Sequence, residues 1–239
     1  MDNTLFDFTE AQLSACGMVC AHLGLPGDDG EALFAYFRRP VHGFESHGNI
    51  RDFLVDSGVF TPRIFAECCA VYDAQKLAAV TPYPGIAAVL EQVLGSAVPC
   101  VVVTDACHAN AVQRLDRAGL SSCFATVISP EISGAPKPDP ASFFCALETL
   151  GLPAGETAVV GDSIRRDIQP AQQAGMITVY ARYGDRYAAG RDGSCVPDYC
   201  AGDVAELGTI LAGILDSRRR AGQSRRSGGL PPGRGGKQE

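Results

Sequence analysis

The chain has 239 residues, which is long enough to bury a sizeable apolar core and to carry a smaller insertion. Hydrophobic residues make up 46% of the sequence and charged residues 20%, as in ordinary globular proteins. No apolar run approaches the roughly 18 residues that span a bilayer, and no basic region followed by an apolar stretch opens the chain. We therefore expect no membrane span and no secretory signal, and we predict a cytoplasmic protein.

After a short polar start, residues 10–79 read as helical. Apolar residues recur there at helical spacing, and no segment alternates like a strand. The positions that carry this pattern are Leu13, Cys16, Cys20, Leu23, Leu33, Phe34, Phe37, Ile50, Phe53 and Leu54. We predict that residues 10–79 form an all-helical cap inserted into another domain, with Tyr83-Pro84-Gly85 marking the return of the chain.

The second half alternates short apolar runs with helical patterns. The predicted strands cover residues 99–104, 126–129, 157–161 and 177–180. The predicted helices cover residues 109–118, 140–150 and 167–174, and a glycine follows each of them. Continuous apolar strands separated by helices are typical of a parallel sheet covered on both faces. The sequence thus predicts an α/β fold, with a Rossmann-like parallel sheet as the core domain (residues 1–9 and 80–216).

The C-terminal residues 217–239 differ in charge from the rest of the chain. The formal net charge is -7, yet from Arg218 to Glu239 there are seven Lys or Arg and one Glu. With its Ser, Gly and Pro residues this segment cannot build a core, so we predict a disordered basic tail. Charge alone would let it touch an anionic surface, but a solvated extension is the interpretation we favour, and we do not expect nucleic-acid binding.

The ten cysteines are scattered and fall mainly in apolar segments. No paired spacing indicates a zinc site, and a disulfide framework is not expected in a chain of this size without a secretory signal. We predict reduced thiols that pack as small apolar groups. Cys107 is the exception of interest because it follows one of the polar motifs described next.

Four short polar motifs fall at the ends of predicted strands or beside them. They are Asp2-Asn3-Thr4-Leu5, Thr104-Asp105, Lys137-Pro138-Asp139-Pro140, and Gly161-Asp162-Ser163 followed by Asp167. Carboxyl ends of parallel strands meet at one edge of a sheet, where open α/β folds bind ligands. Asp162 and Asp167 would concentrate hard oxygen ligands there, as Mg²⁺ requires. Helix capping would also explain these two aspartates, but it would not explain Lys137.

Together, the order and spacing of these motifs resemble the signature of the haloacid dehalogenase superfamily over roughly residues 1–215. The closest pattern is that of its phosphatases with a helical cap inserted after the first motif. This resemblance implies that Asp2 protonates the leaving oxygen, then activates water, and binds Mg²⁺ through its main-chain carbonyl. It also implies metal binding by Asp162 and Asp167. Thr104, Asp105 and Lys137 would bind the phosphate group, with a hydroxyl hydrogen bond from Thr104 and charge neutralisation by Lys137.

The pattern breaks at its start. The nucleophile of the family is an aspartate two positions before Asp2, and Met1 occupies the position between them. The apolar strand that precedes that aspartate, central in the sheet of the family, is absent from the given sequence as well. Three explanations stay open: a start site assigned too late, which we favour; a true truncation; and a pseudoenzyme that binds metal or phosphate without turnover. As written, the chain cannot form an aspartyl-phosphate.

The substrate class implied is a small phosphorylated metabolite, and the cap would select it. Asp2 argues against the dehalogenase branch, because halide departs without a proton. Residues 38–40 and 42–49 are polar enough for a specificity loop, although a solvated connection fits them equally well. Lys76 is the only lysine of the cap, so a Schiff-base mechanism has weak support. Sugar phosphates, phosphoglycolate and nucleoside monophosphates all stay open, and the sequence gives no oligomeric state.

Overall fold

A computed structural model describes residues 1–25, 29–186 and 195–227. The helices are α1 (Phe8–His22), α2 (Asp29–Phe37), α3 (Gly48–Asp56), α4 (Pro62–Ala78), α5 (Ile86–Leu94), α6 (His108–Arg117), α7 (Pro130–Ser133), α8 (Ala141–Leu150), α9 (Gln169–Gln173) and α10 (Val204–Ser227). The strands are β1 (Val102–Val103), β2 (Val127–Ile128), β3 (Ala158–Gly161), β4 (Ile177–Ala181) and β5 (Tyr199–Ala201). All strand pairs are parallel, so the α/β prediction is confirmed.

The described strands form two separate sheets. One holds β1 and β2, and the other has the order β3-β4-β5. All four predicted strands are present: β1, β2 and β3 are shorter than the predicted runs, and β4 extends one residue beyond its predicted end. The third strand of the larger sheet, β5, was not predicted, since Tyr199-Cys200-Ala201 is too short and too polar in its surroundings to stand out. Both sheets end at the same edge, which brings residues 104–105 and 161–162 to one side of the core.

An inter-sheet cavity of about 420 Å³ lies between β1 and β3. The strands contribute Val102 and Val103 from one side and Val159 and Val160 from the other, and Met1 reaches into it. Helices α5, α8 and α10 close it with apolar side chains, so its lining is almost wholly aliphatic and aromatic. In the described sheets, β1 and β3 are therefore edge strands, and they face each other across this cavity.

Residues 8–78 form a helical body with a core of its own. Helix α1 packs against α2 and α4, and α3 packs against both of those helices. Phe37 and Tyr72 stack at its centre with ring centroids 4.9 Å apart, and both side chains are buried. Helix α1 begins at Phe8, slightly before the predicted start of the cap at residue 10. The helical character of this region follows from its spacing of apolar residues, which covers one face of each helix.

The predicted disordered tail needs a correction at its start. Helix α10 continues to Ser227, so residues 217–227 are helical. Arginine, alanine and glutamine are good helix formers, and a chain that is too polar for a core can still extend a helix that is anchored earlier by Val204 and Leu207. The remainder of the predicted tail, residues 228–239, lies outside the described residues. Among the helices that the structure describes, none is both long and apolar enough to cross a bilayer.

The cysteines are less buried than we predicted. All ten are free thiols, as expected, but only Cys16, Cys20 and Cys68 are fully buried. Cys107 and Cys200 are exposed. Apolar neighbours in sequence do not ensure burial at the ends of short strands and helices, where one side of the chain faces solvent.

Candidate active site

The carboxyl end of β3 carries the densest group of the predicted site residues. Asp162 follows the last residue of the strand, and the chain then makes a π-helical turn, Ile164–Ile168, before α9. This turn replaces the start of the helix predicted at residue 167, and it directs Asp167 back toward the strand. A β-carbon on Gly161 would lie 2.5 Å from Asp167 Cγ, so only glycine permits this approach. Asp162 and Asp167 are both buried.

Lys137 completes this group from the loop before α8. Its Nζ donates a hydrogen bond to Asp167 Oδ1 at 2.6 Å, and its side chain is only 7% exposed. The second oxygen of Asp167 accepts a hydrogen bond from the Ser163 backbone N-H at 3.0 Å. The structure therefore brings together Lys137, Asp162 and Asp167, three of the six residues predicted from the motifs.

The charges of this group perturb one another. Burial, and then the neighbouring Asp167 carboxylate, raise the pKa of Asp162 to about 6. Burial also disfavours the charged form of Asp167, but Lys137 and the Met1 ammonium outweigh it and lower the pKa of that carboxyl. Burial lowers the pKa of Lys137, but the charges of Asp167 and Asp105 outweigh this effect, so the pKa is raised overall. The site thus holds a charged lysine, a charged aspartate and a second aspartate that is poised between two states.

Asp105 contacts the loop of Lys137 and the side chain of Arg166. Its Oδ1 accepts a hydrogen bond from the backbone N-H of Lys137 at 2.9 Å, and its Oδ2 lies 3.5 Å from Nη1 of Arg166. A carboxylate engaged in this way, next to a phosphate, would repel it. We interpret Asp105 as the residue that fixes the loop of Lys137.

Thr104 ends β1 and is buried. Its backbone N-H pairs with Ile128 O at 3.0 Å, which continues the ladder of the small sheet. Its hydroxyl oxygen accepts a hydrogen bond from the backbone N-H of Ala106 at 3.2 Å. Among the residues that the structure describes, none accepts the hydroxyl proton of Thr104.

The first segment of the chain is held against β3 and the segment after β4. The Thr4 hydroxyl donates to Asp162 Oδ1 at 3.0 Å, and Tyr183 donates its hydroxyl proton to the Thr4 carbonyl at 2.8 Å. A β-carbon on Gly184 would lie 2.7 Å from the carbonyl carbon of Asn3, so this glycine permits the close passage of the two chains. Asp2 is consequently delivered to the same edge as Asp162.

The α-amino group of Met1 is buried in the middle of the site. Burial and the charge of Lys137 lower its pKa, whereas Asp2, Asp167 and Asp162 raise it. Four of the five predicted charged residues, all except Asp105, thus lie near the backbone nitrogen of Met1. A group joined to that nitrogen would lie among them.

Asp2 itself points toward the helical body. Its Oδ2 accepts a hydrogen bond from Nη1 of Arg114 at 2.9 Å, while its Oδ1 is buried and bonds to no described residue. Nη2 of the same arginine pairs with Glu45 of the loop between α2 and α3. Burial raises the pKa of Asp2, and Arg114 opposes this rise.

That loop is more structured than a solvated connection. The amide nitrogen of Asn49, which is fully buried, donates to the carbonyls of Gly43 at 2.9 Å and Ser46 at 3.0 Å. Gln12 of α1 donates to the carbonyl of Phe44 at 2.8 Å. Glu45 also lies 3.4 Å from Nζ of Lys76, a buried lysine of α4 that contacts Asp73 at 3.3 Å. Lys76 is therefore committed to ion pairs.

The other polar residues of the predicted specificity segment turn away from the core. Arg39 and His42 both contact Asp52 Oδ2 at 3.1 Å, within the helical body. Glu45 differs from these two residues because it contacts Arg114 of the core.

The donor set fits one kind of metal better than others. In the described residues, no three His, Cys, Asp or Glu side chains converge as a dedicated metal site. Asp162 and Asp167 are two adjacent buried carboxylates facing one lysine, so the cluster has excess negative charge. Mg²⁺ binds through one or two carboxylates and completes its shell with water and phosphate. These residues therefore fit Mg²⁺ and would not provide the larger ligand shell of Ca²⁺.

Comparison with known proteins agrees with this geometry. The model of the family described as haloacid dehalogenase-like hydrolase matches residues 1–181. The chain belongs to this family. Two relatives of the haloacid dehalogenase-like chain are phosphatases by name. A glyceraldehyde 3-phosphate phosphatase of Methanocaldococcus jannaschii is 32% identical, covering 90% of this chain and 95% of its own. A phosphoglycolate phosphatase of Pseudomonas savastanoi pv. phaseolicola is 28% identical, covering 90% and 78%.

Solved structures share the fold of this haloacid dehalogenase-like chain. A magnesium-bound HAD-hydrolase of Bacillus subtilis matches with a TM-score of 0.69 at 21% identity, over 89% of this chain and 96% of that one. A structure from Thermotoga maritima, described as a β-phosphoglucomutase, matches with a TM-score of 0.72 at 17% identity, over 90% of this chain and 96% of that one. At these identities the likeness concerns the fold alone. The predicted family is confirmed, and so is the prediction of a phosphatase-like hydrolase.

Sequence reasoning missed Arg114, and it missed the contacts of Thr4 and Glu45, which it had placed in the first motif and in the specificity segment. Arg114 had a detectable signal, because it lies one helical turn after Ala111 and next to Leu115, and both are buried. An arginine in an apolar stripe indicates a buried partner of opposite charge. Glu45 had no such signal, because nothing local in a loop sequence indicates which domain it will touch.

Proposed function

We propose that this protein is a Mg²⁺-dependent phosphomonoester hydrolase that works through an aspartyl-phosphate on an aspartate joined directly to Met1. Without that aspartate we expect the 239-residue chain to have no turnover. The observation that carries the proposal is the buried backbone nitrogen of Met1, which is surrounded by Lys137, Asp162 and Asp167. An aspartate attached there would extend its carboxylate into the only part of the described site that combines a lysine with two carboxylates.

The inter-sheet cavity supports the same proposal independently. It is apolar, it lies between the unpaired sides of β1 and β3, and Met1 lines it. One further parallel strand leading into Met1 would pair with both neighbours and satisfy their backbone groups. Such a strand would end at the edge where the site residues gather.

The reaction then follows from the charges of the chain. The aspartate attacks the phosphorus atom, a new O-P bond forms, and the ester O-P bond breaks. Asp2 donates a proton to the departing alcohol oxygen through its unengaged Oδ1, and next accepts a proton from the water that hydrolyses the aspartyl-phosphate. Lys137 and the Thr104 hydroxyl would bear the charge of the phosphate oxygens.

Asp162, Asp167 and the main-chain carbonyl of Asp2 would hold Mg²⁺. The ion would supply charge neutralisation for the transferring phosphoryl group. Burial and the adjacent Asp167 carboxylate raise the pKa of Asp162, and a cation bound between the two carboxylates would oppose that rise.

The names of the two relatives suggest the substrate class. Phosphoglycolate and glyceraldehyde 3-phosphate are short phosphate esters with an oxidised carbon near the ester. We propose that a short ester of this kind is the substrate, selected by the helical cap. The cytoplasm is the compartment that supplies such metabolites.

The test is hydrolysis of p-nitrophenyl phosphate with Mg²⁺. Three proteins are compared: the 239-residue chain, the chain extended by an apolar strand ending in Asp, and the same extension ending in Asn. We expect turnover from the Asp version alone, abolished by Asp162→Asn and by chelation of Mg²⁺. If the Asp version is folded yet as inert as the Asn version, the hydrolase proposal fails, and a protein that binds metal or phosphate without turnover is the better account.

A further inference from the structure

The contact between the cap and Asp2 runs through one buried arginine. Arg114 lies on α6, the helix that follows Thr104 and Asp105 in the chain, and its side chain is 3% exposed. Nη1 binds Asp2 in the core, and Nη2 binds Glu45 in the cap loop. A single guanidinium thus joins the proposed acid and base to the cap.

The surroundings of Arg114 leave it little freedom. Its guanidinium carbon lies 3.9 Å from the centroid of the Phe8 ring, and that ring is buried at the start of α1. Arginine is suited to this place because its fork presents separate nitrogens to two carboxylates, whereas a lysine ammonium is a single point of charge. Loss of Arg114 would leave the half-buried Asp2 carboxylate without its cation, whereas Glu45 would keep its contact with Lys76 at 3.4 Å.

The arrangement of Asp2 also has a direction. Arg114 occupies Oδ2, and Oδ1 is buried with no bond to a described residue. The carboxylate is therefore held by one oxygen while the other stays available to the substrate. Glu45 accepts a hydrogen bond from Nη2 at the other end of the same guanidinium. Glu45 is held in turn by Lys76 and by the loop around it.

We propose that Arg114 is a positioning residue that aims Asp2 at the leaving oxygen and does so only while Glu45 holds the cap against the core. Proton donation to the leaving group is thereby linked to cap closure. The catalytic part of this inference rests on the proposed function, because it takes Asp2 as the acid. The structural part, a cap held by Arg114, stands on the contacts alone.

The kinetic test uses the extended, active protein and compares two substrates that differ in their need for an acid. An alkyl phosphate releases a poor leaving group, whereas p-nitrophenyl phosphate releases one that departs without protonation. We expect Arg114→Met to lower kcat/KM for the alkyl ester about 10²-fold and for the aryl ester less than about tenfold. Lost folding would lower both equally. Arg114→Lys, which keeps the charge and loses the fork, should give an intermediate ratio.

The matched control is Arg117→Met. Arg117 lies on the same helix and donates to the carbonyl of Ala78 at 3.0 Å, so it also contacts the cap, but it is exposed and touches neither Asp2 nor Glu45. In Arg117→Met, the ratio of kcat/KM for the alkyl ester to kcat/KM for the aryl ester should equal that of the parent. Two results would overturn the positioning role: an equal loss for both esters in Arg114→Met, or a ratio in Arg117→Met that is lowered as much as in Arg114→Met.

A second measurement does not depend on turnover. Amide hydrogen exchange in the 239-residue chain should speed up at least about tenfold over residues 43–47 in Arg114→Met and in Glu45→Gln, with α8 unaffected. Unchanged exchange in a folded Arg114→Met protein would refute the link between cap and core. If the extended parent is inert but exchange responds as expected, then the hydrolase proposal fails while the cap contact stands.

Discussion

Two buried groups of charge lie at the same edge of this molecule, and they differ in balance. In the first, Lys137 with Asp162 and Asp167, two carboxylates share one lysine, and burial followed by the Asp167 carboxylate raises the pKa of Asp162 to about 6. In the second, Arg114 contacts Asp2 and Glu45, and Lys76 contacts Glu45 and Asp73, so each carboxylate contacts a cation. An unbalanced group is disposed to accept a cation, whereas a balanced one gains nothing from it and serves to hold two bodies together.

The strongest test of this comparison removes the cation from each group. Lys137→Met and Arg114→Met both leave a buried carboxylate unpaired, and each should lose about 3–5 kcal/mol of unfolding free energy. Saturating Mg²⁺ should recover much of the loss in Lys137→Met, because a divalent ion can replace the lysine charge, and none in Arg114→Met. Urea unfolding with Mg²⁺ and with chelator measures both effects. An identical response to Mg²⁺ in the two variants would erase the distinction.

A second test uses pH to sharpen the unbalanced group. The pKa of Asp162 in the folded protein, about 6, lies above its usual 3.8, so the folded state holds this proton more tightly than the unfolded state does. The resulting stability is complete below about pH 4 and is lost as pH rises through 6, a change of about 3 kcal/mol. Asp162→Asn should therefore be more stable than the parent at pH 7 and equal to it near pH 4.

The measurement is thermal or urea unfolding across that pH range in chelator. Asp139→Asn is the matched control, since Asp139 is an exposed aspartate of the neighbouring loop. From pH 4 to pH 7, the parent should lose stability relative to Asp162→Asn. If it does not, the group of Lys137, Asp162 and Asp167 is not short of positive charge.

A third test disturbs the geometry of the first group without changing charge. Gly161→Ala forces a β-carbon against Asp167 and should cost about 1–3 kcal/mol. Gly213→Ala, in α10 with no atom near its β-carbon, should stabilise the protein by about 0.5–1 kcal/mol. If the strand end is shaped around Asp167, the unfolding free energy should fall in Gly161→Ala and rise in Gly213→Ala, each relative to the parent. A neutral Gly161→Ala would mean that Asp167 can move away.

The smallest effect concerns the hydrogen bond from Thr4 to Asp162. Thr4→Val removes the donor, which costs about 0.5–1.5 kcal/mol and raises the pKa of Asp162 further, because this bond favours the charged carboxylate. Thr4→Ser keeps the donor and should restore both properties. A carboxyl NMR titration of the two variants, read beside their stabilities, is the check, and equal Asp162 pKa values in valine and serine would count against the contact.

The sequence was sufficient where local pattern and chemistry coincide. Apolar runs before Thr104 and Asp162 predicted both strand ends, and the fixed spacing from Asp162 to Asp167 predicted their convergence. The contacts of Asp105 could not be predicted, because a motif identifies a residue type, whereas its hydrogen bond to the Lys137 backbone depends on how two distant loops meet. The roles of Asp2, Thr104, Asp105 and Lys137 stay predictions.

Other features could not be seen from sequence because they depend on tertiary contacts. The π-helical turn at Ile164–Ile168 replaces a helix start that the pattern of residues 167–174 favours equally well. Glu45 of the helical body contacts Arg114 of the core, and these two residues are far apart in the chain. The length of α10 past residue 216 exceeded the prediction because composition alone does not reveal that an anchored helix continues into polar residues.

The inter-sheet cavity has a volumetric consequence. Unfolding eliminates internal voids, so a protein with a mainly apolar cavity of about 420 Å³ should shrink on unfolding by an amount near the upper end of the usual range, about 100 mL/mol. Hydrostatic pressure then acts on the region between β1 and β3 before any other part of the core. A strand that fills this space would make the same protein markedly less compressible.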